Sequence, residues 1–412
     1  MGVSVFSVLA PAARIAGSGI LISALIAAVP MVVFAWIYAF MTSILPKSGA
    51  SYEWPRRFVS PFVGFMVAWL RILASVGVLV TLALVFVQYL ATVLVLPTRP
   101  TMMCLLLIVL GVNLRGIHIS ARAQSAAMLL LVATLCGFVC FSGSSVRLER
   151  IGNPFIHGVG PILAAVPLMI SLYLGIETAT EVGEEVRNAP VVIPRALAIA
   201  LFISLTMFAA LAFVCLGILG PGPLAETQAP LITAGRVGMG RWAEPVILFA
   251  AALSILKSLN ALFIVFSRYL FAMARAGALP APMATIHPRW GTPYVAIYVA
   301  FGCTLVGLFM PVDLVFLFVA FSIPTVLKYL STSTCAFIVA TKQPDLAATT
   351  RLGLSRSAVV VLSLAGIGCA LVILLLGGDT DWRPYGLIGV WGLLGACYWR
   401  MRAAHLQNAP AS

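Results

Sequence analysis

The sequence predicts an all-α polytopic membrane protein, a single transmembrane domain with about twelve membrane segments over residues 1–412. Three observations carry this. Hydrophobic residues make up 62% of the chain and charged residues 9%, where soluble domains hold about 25% charged residues. Apolar runs recur along the whole length, most of them near the roughly 20 residues a helix needs to cross a bilayer. The connections between them alternate between arginine-rich and arginine-poor. A soluble multidomain protein is excluded, and the lipid bilayer is the first partner the composition implies.

The elements follow in order. A short apolar start covers 2–13 and is too short to cross a bilayer alone. Spans are predicted near 19–43, 62–96, 101–117, 122–142, 158–183, 193–219, 243–272, 294–310, 312–340, 357–377 and 384–400. The runs 62–96 and 243–272 are long enough to tilt or to protrude.

The basic residues orient these spans. Connections 46–60, 113–122, 184–195, 268–293 and 342–356, with the tail after 399, hold most of the lysines and arginines. The opposite set holds only Arg14, Arg99, Arg147, Arg150, Arg236, Arg241 and Arg383. The positive-inside rule makes the first set cytoplasmic. The C-terminus then lies inside, and an even span count places the N-terminus there too. The net charge of +13 is thus explained by topology in a plasma (cytoplasmic) membrane. No basic stripe interleaved with aromatics is present, so no nucleic-acid partner is expected.

Three basic residues fall inside spans. Arg71 and Lys328 are read as snorkelling to an interface. Lys257 lies deeper, three residues before Asn260 and on about the same helix face, so both become candidates for a polar cavity. Lys257 would pair there with Glu177 or Glu181, themselves one turn apart.

The eight cysteines lie almost all in apolar segments without a CxxC pair or a Cys/His cluster, and read as small packing residues. The four histidines are dispersed. No HExxH, GxSxG or GxxxxGK motif occurs, so neither an enzyme nor a metal or cofactor site is expected. No cleavable signal peptide is seen.

The stretch 167–187 departs most from a plain apolar span. Gly175, Glu177, Thr178, Thr180, Glu181 and Gly183 arrive within nine positions. A carboxylate at bilayer depth costs roughly 3 kcal/mol and seldom faces lipid. Glycines on both sides of it allow the helix to unwind, which is tolerated only where backbone lines an enclosed cavity. The stretch therefore reads as a broken helix forming half of a solute-binding site. Glu177 is the candidate coupling carboxyl, able to take up and release a proton, with a structural cap on unwound amides as its plainer role.

Gly2-Val-Ser-Val-Phe6 followed by Pro11 resembles the Gly-Ser-Gly-Ile-Phe…Pro signature in the first helix of the amino acid–polyamine–organocation transporter superfamily, with Ser4 in place of the second glycine. Leu45-Pro-Lys-Ser-Gly-Ala-Ser-Tyr52 is similar to the motif after helix 2, with Ala50 for a glycine. Gly175–Asn188 with Ile193-Pro-Arg-Ala196 resembles helix 6 and its exit. Leu259-Asn260, Ser267-Arg268, 272–280 and 287–293 resemble the end of helix 8 and the next loop. The motifs stand in the family order along nearly the whole chain.

The resemblance implies two inverted five-helix repeats, 1–142 and 158–340, with two peripheral helices over 357–400. Helices 1 and 6 are then the broken pair. It implies an amino acid substrate carried by alternating access, with proton symport or substrate exchange as drive. Gly2, Val3, Ser4, Val5, Phe6, Ser171, Tyr173, Leu174 and Gly175 would bind it. Half-helix N-termini suit a carboxylate and freed carbonyls an ammonium group. Some members carry an aromatic gate at the place of Ser171; Tyr173 is the nearest aromatic here. Some proton-coupled members carry a lysine in helix 5 where this chain has Leu131, so coupling falls to Glu177. About half of helix 1 is missing before Met1, and a start upstream is favoured over a truncated, impaired transporter. A polyamine or amine permease is the runner-up. A non-transporting membrane subunit and a homodimeric assembly stay open.

Overall fold

The computed structural model describes residues 4–47, 49–116, 121–181, 183, 186–311 and 313–407. They are helical throughout, with no strand among them. Short helices α1 (Ser4–Ser7) and α2 (Leu9–Ala16) lead through a turn at Gly17 into α3 (Ile20–Ile44). The short α4 (Ala50–Phe58) precedes α5 (Pro61–Leu90), α6 (Thr98–Leu114) and α7 (Ala121–Gly143). After the single turn α8 (Leu148–Ile151) come α9 (Gly160–Ile170) and a 3-10 helix, Ile176–Glu181. Next are α10 (Ala189–Leu219), the short α11 (Pro221–Glu226) and α12 (Pro230–Gly238), and the long α13 (Ala243–Arg275). The chain closes with α14 (Tyr294–Gly307), α15 (Leu314–Lys342), the single turn α16 (Pro344–Ala348), α17 (Arg356–Thr380) and α18 (Arg383–Gln407).

Among the described residues, seven helices are long and apolar enough to cross a membrane, while α6, α9 and α14 are shorter. The chain is thus a multi-pass integral membrane protein. The boundaries have local causes. Ser60 caps α5 by accepting from the Val63 amide, with Pro61 at the first position, where its missing N–H costs nothing. Asp313 caps α15 through the Val315 amide and Ser355 caps α17 through that of Ala358. The span expected over 62–96 stops at Leu90 instead. Pro97 disfavours helical backbone at Leu96; residues 91–93 form a turn and 94–97 are irregular, with Val93 to Leu96 exposed.

Helices α5 and α15 pack on each other and form the middle of the bundle. Their most apolar windows are 72% and 67% buried, against 28% for α17 and 22% in α7. The outer helices turn large apolar side chains outward, among them Leu129, Phe202, Leu375 and Leu393. Such a surface is what a bilayer covers. Helix α9 lies against α3 and α17, and α13 against α5, so the interrupted stretch after α9 faces the central pair.

Candidate solute site at the broken helix

The helix that starts at Gly160 stops at Ile170, well short of a membrane crossing. The amides of Ser171, Leu172 and Tyr173 turn back to the carbonyls three residues earlier, at 3.0, 3.1 and 2.9 Å. Gly175 then adopts φ +98°, a backbone only glycine takes readily. The chain continues as the six-residue 3-10 helix. The break predicted from glycine and glutamate spacing is present, at its expected place.

Three donors converge on the Glu177 carboxylate. Lys328 Nζ donates to Oε1 at 2.5 Å. Tyr329 Oη donates to Oε2 at 2.8 Å, and the Gly175 amide to the same oxygen at 2.9 Å. Glu177 therefore caps the break from inside and pins it to α15. Around Lys328 stand the rings of Tyr329 and Tyr38, 5.3 and 5.9 Å from its nitrogen, close enough for cation–π attraction. Glu181, at the end of the 3-10 helix, accepts from Arg71 Nη1 at 2.9 Å. It also accepts from the Ser51 hydroxyl and, at 3.3 Å, from the Ser51 amide. The Glu181 carbonyl takes the Gly49 amide at 3.0 Å. The start of α4 is thus tied to the broken element.

Beside this network lies a cavity of about 280 Å³. It sits near the lower end of small-molecule sites, roughly 300–1,000 Å³. One wall is α5, with Arg71 and Thr81; the second is the break, with Ser171, Leu174, Gly175, Glu177 and Thr178. The third is α13, with Lys257 and Ser258, and the fourth α15, with Phe318, Phe321 and Lys328. Most of the remaining lining is aliphatic. Among the described residues no cluster of His, Cys, Asp and Glu could hold a metal ion.

The residues singled out from sequence divide between two places. Ser171, Leu174, Gly175, Glu177 and Lys257 meet at the cavity. Tyr173 is directed elsewhere: its ring lies 5.6 Å from that of Phe208, and its hydroxyl donates to the Ala24 carbonyl at 3.4 Å. Phe6 is fully buried, its carbonyl accepting from Tyr89 Oη at 2.7 Å, and it is not among the lining residues. Gly2 and Val3 lie outside the described residues, while Ser4 and Val5 open α1. Asn260 accepts from Asn113 Nδ2 at 2.9 Å and joins α13 to α6 instead of lining the cavity.

Two expectations need correction. Arg71 and Lys328 do not snorkel; their side chains are 15% and 3% exposed. Nor does Lys257 pair with Glu177 or Glu181, because Lys328 and Arg71 occupy those carboxylates. Burying a charge is tolerated when it is paired, and the pairs form between elements distant in sequence. One signal pointed there: two carboxylates and three cations at span depth are nearly enough to neutralise one another.

Comparison with known proteins adds a separate line. Residues 1–394 match the family model described as Amino acid permease. The chain is 32% identical over 300 residues to an uncharacterized transporter of Mycobacterium tuberculosis, covering 72% of this chain and 67% of that protein. It is 24% identical to the branched-chain amino acid permease BcaP of Bacillus subtilis, over 96% of this chain and 88% of the relative. It is 26% identical to the vacuolar cationic amino acid transporter 4 of Arabidopsis thaliana, over 80% of this chain and 58% of the relative.

Proposed function

This chain belongs to the amino acid permease family, and from that premise we propose that it is a secondary active transporter moving amino acids across the plasma membrane by alternating access. The observation that carries the reading is the interruption at 171–175 on the wall of a cavity enclosed by α5, α13 and α15. Backbone is broken at bilayer depth only where it borders such a space. Residues 1–142 and 158–340 act as the two repeats, and 357–400 as peripheral helices. The arginine-rich connections and both termini face the cytoplasm.

In this mechanism the broken element is the part that responds. Glu177 and Glu181 hold it to α15 and α5 through Lys328 and Arg71. Releasing either pair frees the 3-10 helix to shift against the middle of the bundle, which suits a gate. The drive is proton symport or substrate exchange. In the symport form Glu177 takes the proton only after Lys328 has moved away, because that ammonium, the Tyr329 hydroxyl and the Gly175 amide all favour the ionised carboxylate.

A second reading is a cationic substrate: a basic amino acid is supported by the similarity to the plant cationic amino acid transporter, and a diamine by 24% identity over 61% of this chain to the low-affinity putrescine importer PlaP of Escherichia coli. Uptake of radiolabelled L-leucine, L-arginine and putrescine into proteoliposomes, with and without a pH gradient, tests both. Uptake of leucine above protein-free liposomes is expected. Uptake of none of the three removes the transport reading.

A further inference from the structure

Helices α5 and α13 pack on each other but leave a second space, of about 340 Å³, where α5 ends and α13 begins. Phe86, Tyr89 and Leu90 line it from α5, and Pro245, Leu248, Phe249 and Ala252 from α13. The one polar group on these side chains, the Tyr89 hydroxyl, is spent on the Phe6 carbonyl at 2.7 Å. A water molecule needs two to four polar partners and finds none in such a lining. Left empty, the space forfeits the dispersion contacts of every side chain around it. An apolar occupant is what it suits.

The space shares no lining residue with the cavity beside Glu177. Phe249 on its rim is 61% exposed, so it is a groove on the outside of the bundle, where the bilayer lies. Arg241, Pro245, Phe249, Ala252 and Leu256 follow one another at three or four residues and form one stripe along α13 and the turn before it. From Pro245 to Leu256 the stripe is apolar and about 16 Å long at 1.5 Å per residue. That is roughly half of a 30 Å hydrocarbon core, the depth of one leaflet.

The polar end of the stripe has headgroup chemistry. Arg241 and Trp242 are both exposed, with the guanidinium carbon 5.5 Å from the indole centroid. Tryptophan is enriched at the level of lipid headgroups. Arg241 makes no ion pair among the described residues, and the nearby Glu244 is taken by Arg236 at 2.6 Å. A guanidinium presents a planar fork of donors that matches a phosphate.

We propose that this groove is a binding site for one anionic phospholipid, with an acyl chain between α5 and α13 and the phosphate on Arg241. A zwitterionic headgroup brings its own cation, so a net negative one gains more from Arg241. The site reaches further through Tyr89. That residue lines the groove and also holds Phe6, ring edge to ring face at 5.5 Å. A chain packed on Tyr89 thus steadies the segment from α1 to α2. The site is separate from the solute cavity and does not depend on the transport reading.

The test is lipid binding to the purified full chain, delipidated in detergent and titrated with phosphatidylglycerol or phosphatidylcholine of identical acyl chains, followed by native mass spectrometry. One phosphatidylglycerol is expected to bind more tightly than any phosphatidylcholine. Arg241→Gln should weaken the phosphatidylglycerol complex roughly 10-fold, the loss of one charge-assisted contact. Arg147→Gln, an equal change of charge at another exposed site, should leave it unchanged. Ala252→Phe, which fills the groove, should remove the tight site for both lipids. Unfolding temperatures control for folding of the filled variant, and the wild-type comparison needs no variant. Equal affinity for the two lipids overturns the proposal. So does an equal effect of Arg241→Gln and Arg147→Gln, which is the mark of diffuse charge. A dimer that Ala252→Phe dissociates without loss of lipid overturns it as well, and assigns the groove to a second copy of the chain.

Discussion

Glu177 and Lys328 are 151 residues apart in the chain and 2.5 Å apart in space. Removing one partner of a buried ion pair costs about 3–5 kcal/mol, because the other charge is stranded. Lys328→Met is therefore expected to lower the unfolding temperature of the purified protein sharply, and Lys328→Met with Glu177→Gln to recover most of the loss. A double variant no more stable than the single one would argue against the pair as the main tie. A second outcome belongs to the coupling role: Glu177→Gln should abolish the pH dependence of uptake, read as initial rate against external pH. Persisting pH dependence would assign the proton elsewhere. Glu177 stood out in sequence because a carboxylate interrupts an apolar run. Lys328 did not, since a lone lysine in a span reads equally well as snorkelling, and hydropathy carries no information on which neighbour a side chain meets.

The interruption after α9 depends on one residue's backbone. A side chain at Gly175, with φ +98°, costs roughly 1–3 kcal/mol. Gly175→Ala is expected to lower thermal stability and uptake together, and full uptake in that variant would show the turn to be dispensable. A different device holds α18. Trp69 Nε1 donates to the Trp391 carbonyl at 2.8 Å and Trp391 Nε1 returns the bond to Trp69 at 2.9 Å, with the two indoles stacked 4.8 Å apart. Gly395 lets the helices approach, since a Cβ there would overlap the Trp69 indole. Gly395→Val should therefore destabilise by about 1–3 kcal/mol through overpacking, measured as a drop in unfolding temperature. At the turn between α17 and α18, hydrogen bonding by Arg383 holds the Asp381 carboxyl below the usual carboxylate range. A depressed value means its contribution is complete above the ordinary carboxylate pKa, about 3.9, and is lost as pH falls through the folded value. The difference in unfolding temperature between wild type and Asp381→Asn should be constant above about pH 5 and shrink below about pH 4. The glycine-rich break was legible beforehand, whereas the Trp pair was not. Both tryptophans sit in apolar runs whose contact exists only once α5 and α18 lie side by side.

Across the molecule, the proposed orientation predicts which ends of the helices share a compartment. In a cysteine-free background, Arg57→Cys and Arg351→Cys should react with an impermeant maleimide only from the cytoplasmic side, and Arg241→Cys only from outside. The reversed pattern would invert the topology. Hydropathy was enough to place most of the helices within a few residues, because crossing a bilayer imposes a length and a composition that each segment meets by itself. The family likeness was legible for the same local reason: its motifs are short and contiguous. The partners of the charged residues were decided only by tertiary structure. Arg71, Glu177, Glu181, Lys257 and Lys328 are drawn from four separate stretches, and which of them neutralise each other depends on how α5, α13, α15 and the broken helix pack. Lys328 and Arg71 reach the two carboxylates while the Lys257 ammonium meets Met128 Sδ, an outcome that depends on distance in space and that no spacing along the chain records.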